Sequence, residues 1–352
     1  MSGTRTLTIG ARAIGPGQPA YLVAEIGINH NGDLDLARRS IDAAKAAGAD
    51  AVKFQNYRTE DFVSDRALTF TYRSQGRTVT EPQYDMFKRA ELSPEMLGRL
   101  FAHARAVGID CHSTPTSREG VEALVSLGCD VIKNGSDYLG HHELIRFMGE
   151  SGRAVVISSG MATLAEIDDA VRVVRATGNE KLVLLHCVSS YPAPDESINL
   201  RRIPALSVAF DCLVGFSDHS AGITAAQGAV ALGACWIEKH FTLDRDLPGP
   251  DHWFSSDPAE FRRLAEGVRA METMLGDARI GPTRAEAEMR DVARLSCVAA
   301  RALPAGHALT SSDVAYRRPA TGMPPAMARF LVGRRLKRDV AAGAAFRLEW
   351  LE

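Results

Sequence analysis

The sequence predicts an α/β fold: a closed (β/α)8 TIM barrel followed by a small β-rich domain. Three observations indicate this fold. A helix–glycine–strand unit recurs, eight short apolar runs alternate with amphipathic segments, and the sequence becomes polar and rich in turns after about residue 280. Parallel strands that are each covered by a helix match such a barrel. An open doubly wound sheet is the alternative, but no GxGxxG pattern follows the first apolar run.

The recurring unit is an alanine-rich helical stretch that ends at a glycine and leads into an apolar strand. Glycine suits this position because it adopts the left-handed conformation that turns the chain back toward the sheet. The unit occurs at residues 46–55, 106–114, 126–136 and 231–240. Further apolar runs, which bring the predicted strands to eight, lie at residues 21–27, 154–160, 181–187 and 212–218.

The domain organisation follows from these patterns. We predict a barrel domain over residues 1–280, a linker over residues 281–293 and a C-terminal domain over residues 294–352. The connection 56–92 is unusually long, and we interpret it as a lid over the barrel mouth. The C-terminal segment carries ten Arg and Lys against four Asp and Glu, so it is basic although the 352-residue chain has a net charge of -2.

Composition narrows the class of protein. With 45% hydrophobic and 24% charged residues, the chain suits a globular protein, and its net charge gives no reason to expect binding to nucleic acid or membranes. No apolar run approaches the roughly 18 residues of a membrane helix, and the N-terminus does not resemble an export signal. Six cysteines without CxxC spacing suggest reduced thiols, so we expect a cytoplasmic protein.

Polar side chains stand at the C-terminal ends of the predicted strands, where a barrel has its active site. Strand interiors are apolar, so packing alone does not explain this ring of acids, lysines, hydroxyls and histidines. The ring comprises Glu25, Lys53, Gln55, Ser113, Thr114, Lys133, Ser136, Ser158, Ser159 and the runs 186–191, 217–219 and 238–240.

Two histidines, His219 and His240, end successive strands and therefore project into the same mouth. Neutral imidazoles from adjacent strands suit a divalent metal, Mn²⁺ or else Mg²⁺ or Co²⁺, and leave positions open for water and substrate. The alternative is a pair of hydrogen-bonded structural histidines.

Lys53 and Lys133 form a predicted anion cradle with the hydroxyls of Thr114, Ser136, Ser158 and Ser217. A phosphate or carboxylate needs several donors and fixed positive charge, and these residues supply both. Two alternatives stay open: a lysine that only pairs with Glu25 or Asp218, and a Schiff-base lysine. The histidine pair argues against the imine.

Asp251 lies in the loop 244–254, after the last strand. Two prolines and a glycine in this loop would hold the carboxylate over the mouth, where it can bind sugar hydroxyls or move a proton. A solvated acidic turn is the alternative.

Several motifs together resemble the sialic acid synthase family, which includes N-acetylneuraminate, legionaminic and pseudaminic acid synthases. The C-terminal segment, with its YRRP, resembles the antifreeze-like (SAF) domain of that family. The motifs are AEIGINHNG (24–32), AGADAVKFQ (47–55), STP (113–115), SSGM (158–161), LLHCVSSYP (184–192), GFSDHS (215–220), EKHFTLDRDLPGPDH (238–252) and YRRP (316–319).

The resemblance implies roles for particular residues. His219 and His240 hold the metal, and Glu25, Lys53, Lys133 and Asp251 are catalytic. The residues expected to bind phosphoenolpyruvate are Lys53, Gln55, Thr114, Lys133, Ser136, Ser158, Ser189 and Ser217. Those expected to bind the sugar are Glu25, Asp137, Tyr138, Tyr191, Asp251 and Arg318.

The resemblance also implies a reaction: a transferase that condenses phosphoenolpyruvate with open-chain N-acetylmannosamine to give N-acetylneuraminate and phosphate. Legionaminic acid synthesis from 2,4-diacetamido-2,4,6-trideoxymannose is one alternative. Others are a different ulosonic acid made from a phosphorylated aldose, and a non-catalytic carbohydrate- or ice-binding protein. A domain-swapped homodimer is implied, in which Arg318 acts in the partner's site.

Two positions depart from the family pattern. Tyr138 stands where the family has an acid that binds sugar hydroxyls, with Asp137 one place earlier, and Ser189 replaces the asparagine of an HCTNxYP-like motif. The departures concern the identity of the sugar and leave the predicted barrel and phosphoenolpyruvate site unchanged.

Overall fold

The computed structural model describes residues 6–352. The chain divides into two compact units, of which the first ends at Gly276 and the second comprises Asp277–Glu352.

Residues 6–276 of the first unit contain twelve strands, eight of which form the barrel. In chain order they are β1 (Leu7–Ile9), β2 (Arg12–Ile14), β3 (Tyr21–Gly27), β4 (Ala51–Asn56), β5 (Thr69–Ser74), β6 (Arg77–Pro82), β7 (Asp110–Pro115), β8 (Val131–Asn134), β9 (Ala154–Ser158), β10 (Leu182–Cys187), β11 (Leu213–Asp218) and β12 (Trp236–His240).

The barrel is closed and its strands are parallel, in the order β3-β4-β7-β8-β9-β10-β11-β12 with β12 returning to β3. Each barrel strand coincides with one of the eight predicted apolar runs, so the predicted fold class is confirmed. Closure brings the C-terminal ends of all eight strands to one mouth.

Helices cover the outside of the barrel and begin at capping residues that the sequence contains. Asp33 accepts hydrogen bonds from two backbone N–H groups at the start of the first helix, and Thr163 forms a capping box with Glu166. The helices of the first unit are α1 (Leu34–Ala46), α2 (Thr59–Phe62), α3 (Gln83–Arg89), α4 (Pro94–Val107), α5 (Arg118–Ser126), α6 (His142–Glu150), α7 (Leu164–Ala176), α8 (Asp195–Ile198), α9 (Arg202–Phe210), α10 (Thr224–Ala231) and α11 (Pro258–Leu275).

Glycines end the helices of the repeated unit, as predicted. Gly48, Gly108, Gly128 and Gly233 have φ angles between 72° and 96°. This left-handed conformation strains residues that carry a Cβ, so glycine lets each helix turn directly into the next strand.

The barrel interior is apolar at the end opposite the mouth. The antiparallel hairpin of β1 and β2 contributes Ile9 and Ile14 to a buried cluster with Tyr21 and Trp236, among others. The inward-facing side chains therefore change from apolar to polar and charged along the barrel axis.

The long connection 56–92 is an ordered structure with elements of its own. It contains the antiparallel hairpin of β5 and β6, flanked by the short helices α2 and α3. Tyr57, Phe62 and Phe87 pack edge to face beneath it, with ring centroids 5.0–5.7 Å apart. The predicted lid is thus largely a hairpin on an aromatic base.

The second unit has its own core and two antiparallel strands, β13 (Ser296–Ala299) and β14 (Val314–Arg317). Its buried side chains include Cys297, Leu331 and Phe346. The predicted linker 281–293 contains a helix, α12 (Ala287–Ala293), so this polar stretch is partly helical.

The cysteines and helices bear on two further expectations. Within residues 6–352, no disulfide joins the cysteines, which are Cys111, Cys129, Cys187, Cys212, Cys235 and Cys297. Among residues 6–352, no helix is long and apolar enough to cross a membrane.

Candidate active site

The floor of the barrel mouth holds two lysines and two glutamates, all nearly inaccessible to solvent. Lys53 Nζ lies 2.6 Å from Glu25 Oε2 and 3.7 Å from Glu238 Oε1, and Lys133 Nζ lies 3.3 Å from the same Glu238 oxygen. Side-chain exposures of 3–6% mean that the charges have lost most of their water. Burying such ions costs about several kcal/mol each before pairing, so stability alone does not account for four of them.

The strand register explains how these charges meet. Glu25 on β3 lies between His240 on β12 and Lys53 on β4, its partners on either side. Glu238 pairs in register with Ser217 on β11. Adjacent parallel strands thus place side chains that are far apart in the sequence on one layer of the barrel.

The two glutamates have pKa values shifted in opposite directions. Burial raises the pKa of the Glu25 carboxyl, and the charge of Lys53 opposes this only in part. Burial also acts on Glu238, but the positive charges of Lys133 and Lys53 outweigh it and lower its pKa. Glu238 is therefore the fixed anion of the floor, and Glu25 is the carboxyl that more readily takes up a proton.

Hydroxyl groups complete the anion cradle. Lys53 Nζ donates to Thr114 Oγ1 at 3.0 Å, and Lys133 Nζ donates to Ser158 Oγ at 2.7 Å. Ser136 Oγ, which accepts from the backbone of Gly160 at 3.0 Å, keeps its own proton to donate. Donors and fixed positive charge meet here as a phosphate or carboxylate requires.

The two histidines face each other above this floor, with ring centroids 5.4 Å apart. His219 Nδ1 lies 2.8 Å from the Val188 carbonyl, so Nδ1 carries a proton, and Nε2 lies 3.5 Å from Ser217 Oγ. His240 Nδ1 is buried without a hydrogen-bond partner and lies 3.7 Å from Asp251 Oδ2.

This donor set fits a divalent metal. Burial, followed by the neighbouring positive charges, lowers the pKa of His240 and keeps it the neutral imidazole that binds a metal. Within residues 6–352, no cluster of three or more His, Cys, Asp or Glu side chains is arranged to hold an ion. A metal held by His219 and His240 would therefore take its other ligands from water or substrate.

The walls above the histidines carry acidic and aromatic side chains. The Tyr191 ring lies 4.3 Å from the His219 ring and 5.5 Å from Phe254. Burial raises the pKa of Asp251 to about 6, although the charge of His219 opposes the shift. Tyr138 is half-buried and stacks on His141 at 6.0 Å.

One cavity of about 690 Å³ joins these groups, a size typical of small-molecule sites. Predicted site residues that line it are Glu25, Lys53, Gln55, Thr114, Lys133, Ser136, Asp137, Tyr138, Ser158, Ser189, Tyr191, Ser217, His219, His240 and Asp251. Arg318 belongs to the second unit, where its side chain is exposed.

The prediction missed some cavity residues. Glu238 was part of the predicted ring, within the run 238–240, but had no assigned role; it is the carboxylate between the two lysines. Phe70 and Arg73 come from the hairpin of β5 and β6, and Trp253 from the loop after β12. The spacing of residues along the sequence does not show which wall of the cavity the hairpin of β5 and β6 lines.

Comparisons with known proteins agree with this architecture. The NeuB family model matches residues 40–279, and the SAF domain model matches residues 296–352. The chain belongs to the NeuB family. The family resemblance seen in the sequence motifs is thereby confirmed, as is the C-terminal SAF domain.

NeuB relatives resemble the chain over nearly its whole length. It is 38% identical to an uncharacterized protein of Methanocaldococcus jannaschii over 95% of both chains. It is 37% identical to the N,N'-diacetyllegionaminic acid synthase of Legionella pneumophila, over 97% of this chain and 98% of that one. The crystal structure of a sialic acid synthetase from Leptospira borgpetersenii in complex with citrate matches with a TM-score of 0.74 and 33% identity, over 81% of this chain and 95% of that one.

The NeuB relatives are named for different products. Besides the legionaminic acid synthase, they include a pseudaminic acid synthase of Campylobacter jejuni (32% identical) and an N-acetylneuraminate-9-phosphate synthase of Mus musculus (34% identical). Similarity therefore establishes the class of synthase and leaves the acceptor sugar to be argued from the site.

Proposed function

We propose that the protein condenses phosphoenolpyruvate with an open-chain N-acylated amino sugar, forming a nine-carbon 2-keto sugar acid and releasing phosphate. One observation carries this proposal: two buried lysines, a set of hydroxyls and a facing pair of imidazoles line the same cavity. The lysines suit an anionic substrate, and the imidazoles suit a metal that activates an aldehyde.

Phosphoenolpyruvate fits the floor because of its charge. The floor as it stands balances Lys53 and Lys133 against Glu25 and Glu238. A phosphate and carboxylate entering this layer would repel both glutamates and favour protonation of Glu25, whose pKa burial already raises. Substrate binding would thus leave Glu25 as a neutral acid beside a net positive floor.

The proposed reaction forms one carbon–carbon bond and breaks one carbon–oxygen bond. C3 of phosphoenolpyruvate attacks the aldehyde carbon, and the carbonyl electron pair becomes a hydroxyl after it takes up a proton. Water adds to the oxocarbenium carbon C2 and loses a proton. The bond from C2 to the phosphate oxygen then breaks, and the new C2 hydroxyl gives its proton to the departing phosphate and becomes the keto group.

Glu25 and Asp251 are the proposed proton carriers. Glu25 lies beside Lys53 on the floor, where it would first give its proton to the substrate and then take up the proton that the adding water loses. Asp251 lies 3.7 Å from His240, on the side where the aldehyde would sit. A divalent metal bound by His219 and His240, with Mn²⁺ as the preferred ion, would supply Lewis acidity at the aldehyde oxygen.

The walls favour 2,4-diacetamido-2,4,6-trideoxymannose as acceptor over N-acetylmannosamine, the sugar preferred from sequence alone. Tyr138 replaces a hydroxyl-binding acid, and the exposed rim includes Phe70 and Met161, which suit acetamido and deoxy methyl groups. The similarity to a diacetyllegionaminic acid synthase supports the same choice. Asp137 remains the carboxylate next to Tyr138, so N-acetylmannosamine is retained as the second candidate.

Phosphate release from phosphoenolpyruvate tests the proposal. The purified protein is assayed with Mn²⁺ and each of the two sugars, and again after EDTA treatment and after Mn²⁺ is restored. We expect release that requires the metal and is faster with the diacetamido sugar. Faster release with N-acetylmannosamine would reverse the choice of acceptor, whereas release only with a phosphorylated aldose would indicate a different ulosonic acid. Sugar binding without release from any acceptor would indicate a non-catalytic carbohydrate-binding protein.

We further propose a domain-swapped homodimer in which Arg318 completes the partner's site. The resemblance of YRRP to the family motif and the exposure of Arg318 support this arrangement. The variants Lys53→Met and Arg318→Ala, each inactive alone, are unfolded and refolded together. Random pairing places both intact residues in about a quarter of all sites only if Arg318 acts in the partner. No recovery, despite mixed dimers seen by native mass spectrometry, would place Arg318 in its own chain's site or outside catalysis.

We propose that the enzyme works in the cytoplasm. The six cysteines of residues 6–352 are not joined in disulfides, and this supports the location because the cytosol keeps thiols reduced. Fractionation of cells that express the native protein tests the location, and recovery outside the cytosolic fraction would overturn it.

A further inference from the structure

The motif at residues 26–32, IGINHNG, includes two asparagines that do not line the cavity, so the reaction proposed above leaves them without a role. Asn29 and Asn31, which we call the asparagine clamp, follow strand β3 and contact the loop after β12. That loop, residues 241–256, carries Asp251 over the mouth.

Asn31 holds the loop with both protons of its amide group. Asn31 Nδ2 donates to the Pro248 carbonyl at 2.7 Å and lies 3.3 Å from His252 Nε2. Because the Pro248 carbonyl only accepts, the amide nitrogen must be the atom that faces the loop. Asn31 therefore contacts the loop on both sides of Asp251.

His252 extends this hydrogen-bond network, with every side-chain donor pointing away from Asn31. Its Nε2 accepts from Asn31, so its Nδ1 carries the proton and donates to Thr242 Oγ1 at 2.7 Å. Thr242 Oγ1 in turn donates to the Asp244 carbonyl at 2.9 Å. Burial lowers the pKa of His252 to about 4, which keeps the ring neutral, as the accepting Nε2 requires.

Asn29 reaches Asp251 through one intermediate. Asn29 is almost fully buried, and its Nδ2 donates to the Phe241 carbonyl and to Ser255 Oγ, both at 2.9 Å. Ser255 Oγ donates to the backbone carbonyl of Asp251 at 2.6 Å. The position of the Asp251 backbone thus depends on the Asn29 side chain, which comes from the loop after β3.

Close packing around Gly249 shows that the loop has little freedom. A Cβ at Gly249, which has a φ of 145°, would lie 3.0 Å from Asn31 Oδ1 and 2.9 Å from His252 Cδ2. The Gly249 N–H donates to Ser74 Oγ at 3.1 Å, and Gln75 Nε2 donates to the Asp246 carbonyl at 3.0 Å. The same loop therefore also holds the tip of the hairpin of β5 and β6.

We propose that Asn29 and Asn31 are positioning residues for the acceptor sugar: they hold the loop that places Asp251 and Trp253 on the acceptor side of the cavity. The proposal rests on the function proposed above for this side of the site. The clamp touches none of the lysines that bind the anion, so its loss should affect the acceptor and spare phosphoenolpyruvate.

Substitution of Asn31 tests the clamp. Asn31 has a φ of +51°, so Asn31→Gly removes the amide without straining the backbone, whereas Asn31→Asp places an acceptor against the Pro248 carbonyl. Asn199→Gly is the matched control, because Asn199 has the same φ of +51° and bonds locally to Ser197.

Two measurements are made on each variant. We expect kcat/KM for the acceptor to fall about 10- to 100-fold in Asn31→Gly and further in Asn31→Asp, since small misplacements are that costly. KM for phosphoenolpyruvate should stay within about twofold, as it should for Asn199→Gly. Hydrogen–deuterium exchange of peptides covering residues 244–256 should accelerate in both Asn31 variants and not in the control.

The outcomes separate this proposal from the function on which it rests. A wild-type protein that releases no phosphate, with faster loop exchange in Asn31→Gly, would overturn the function and leave the clamp standing. An active enzyme whose Asn31 variants match Asn199→Gly in both measurements would overturn the clamp. Equal losses for both substrates would assign Asn31 a general structural role, which also contradicts the proposal.

Discussion

The two ends of the barrel both carry charged and hydrogen-bonding side chains, but only one end leaves them available to a ligand. At the end opposite the mouth, the Tyr21 hydroxyl donates to Asp110 Oδ2 at 2.7 Å, and Asp50 accepts from a backbone amide and two arginines at 2.8–3.0 Å. At the mouth, Lys53 and Lys133 share their counter-ions and face a cavity. Charged and hydrogen-bonding side chains therefore stabilise the fold at one end and line a cavity at the other.

The difference teaches that burial and charge do not identify a site by themselves. A closed network such as the one around Asp50 uses its hydrogen-bonding capacity within the protein. The mouth instead keeps an unpartnered nitrogen on His240 and hydroxyl protons free to donate. Unused capacity that faces a cavity is what distinguishes a site from a structural network.

The largest effect should come from Lys53→Met. Loss of this buried cation removes a donor to the bound anion and leaves Glu25 without its ion pair, so we expect kcat/KM for phosphoenolpyruvate to fall about 10³-fold. Steady-state kinetics check the value, with Lys45→Met as the control because Lys45 is an exposed residue of helix α1. A loss below tenfold would mean that Lys53 acts mainly in stability, as the side chains at the end opposite the mouth do, and would contradict the comparison.

Glu25→Gln should have the next largest effect. The amide keeps the shape of the side chain but cannot carry a proton between substrate and water, so kcat should fall about 10²-fold. Presteady-state phosphate release distinguishes slower chemistry from slower product release. Unchanged kcat would exclude Glu25 as a proton carrier and leave Asp251 as the candidate.

Tyr21→Phe tests the end of the barrel opposite the mouth. The substitution leaves Asp110 and His112 without the hydroxyl they share, so the free energy of unfolding should fall by about 1–3 kcal/mol. Activity at a temperature where the variant is folded should change by less than about twofold. Urea unfolding and kinetics are measured together, and a large loss of kcat with unchanged stability would contradict the comparison.

Asp313 extends the comparison to the second unit and should show the smallest effect. Hydrogen bonds from His307 and Thr310, together with Arg301, lower its pKa. A depressed pKa contributes stability that is present above the ordinary value of about 4 and is lost as pH falls through the folded-state value. The melting temperatures of wild type and Asp313→Asn, measured from pH 5 to 2, should become more similar as the pH falls. A difference in melting temperature that stays constant over this pH range would show that the carboxylate charge is not what stabilises the unit.

Several features could be predicted because they depend on short segments. The eight strands were visible as apolar runs, and glycines such as Gly48 and Gly108 marked the ends of helices. Strand ends then placed His219, His240, Lys53 and the other candidates on one side of the barrel. The rule that the active site lies at the C-terminal ends of the strands depends only on barrel topology, so it can be applied without any interatomic distance.

Other features could not be predicted because they depend on how distant segments pack. Glu238 lies between two lysines only because closure brings three strands to one layer. The contact of Asn31 with Pro248 spans 217 positions in the sequence, and nothing local to either residue indicates it. The family resemblance identified the motif but not the loop that it holds.

The sequence by itself determined the order of the eight barrel strands, the family and the set of residues at the strand ends, because periodicity, glycine positions and motifs are contained in short stretches of chain. Only the tertiary structure decided which of those side chains are paired and which face the cavity. Pairing depends on distances of about 3 Å between residues from different strands. Those distances are set by barrel closure and by the register of neighbouring strands, and no local pattern encodes them.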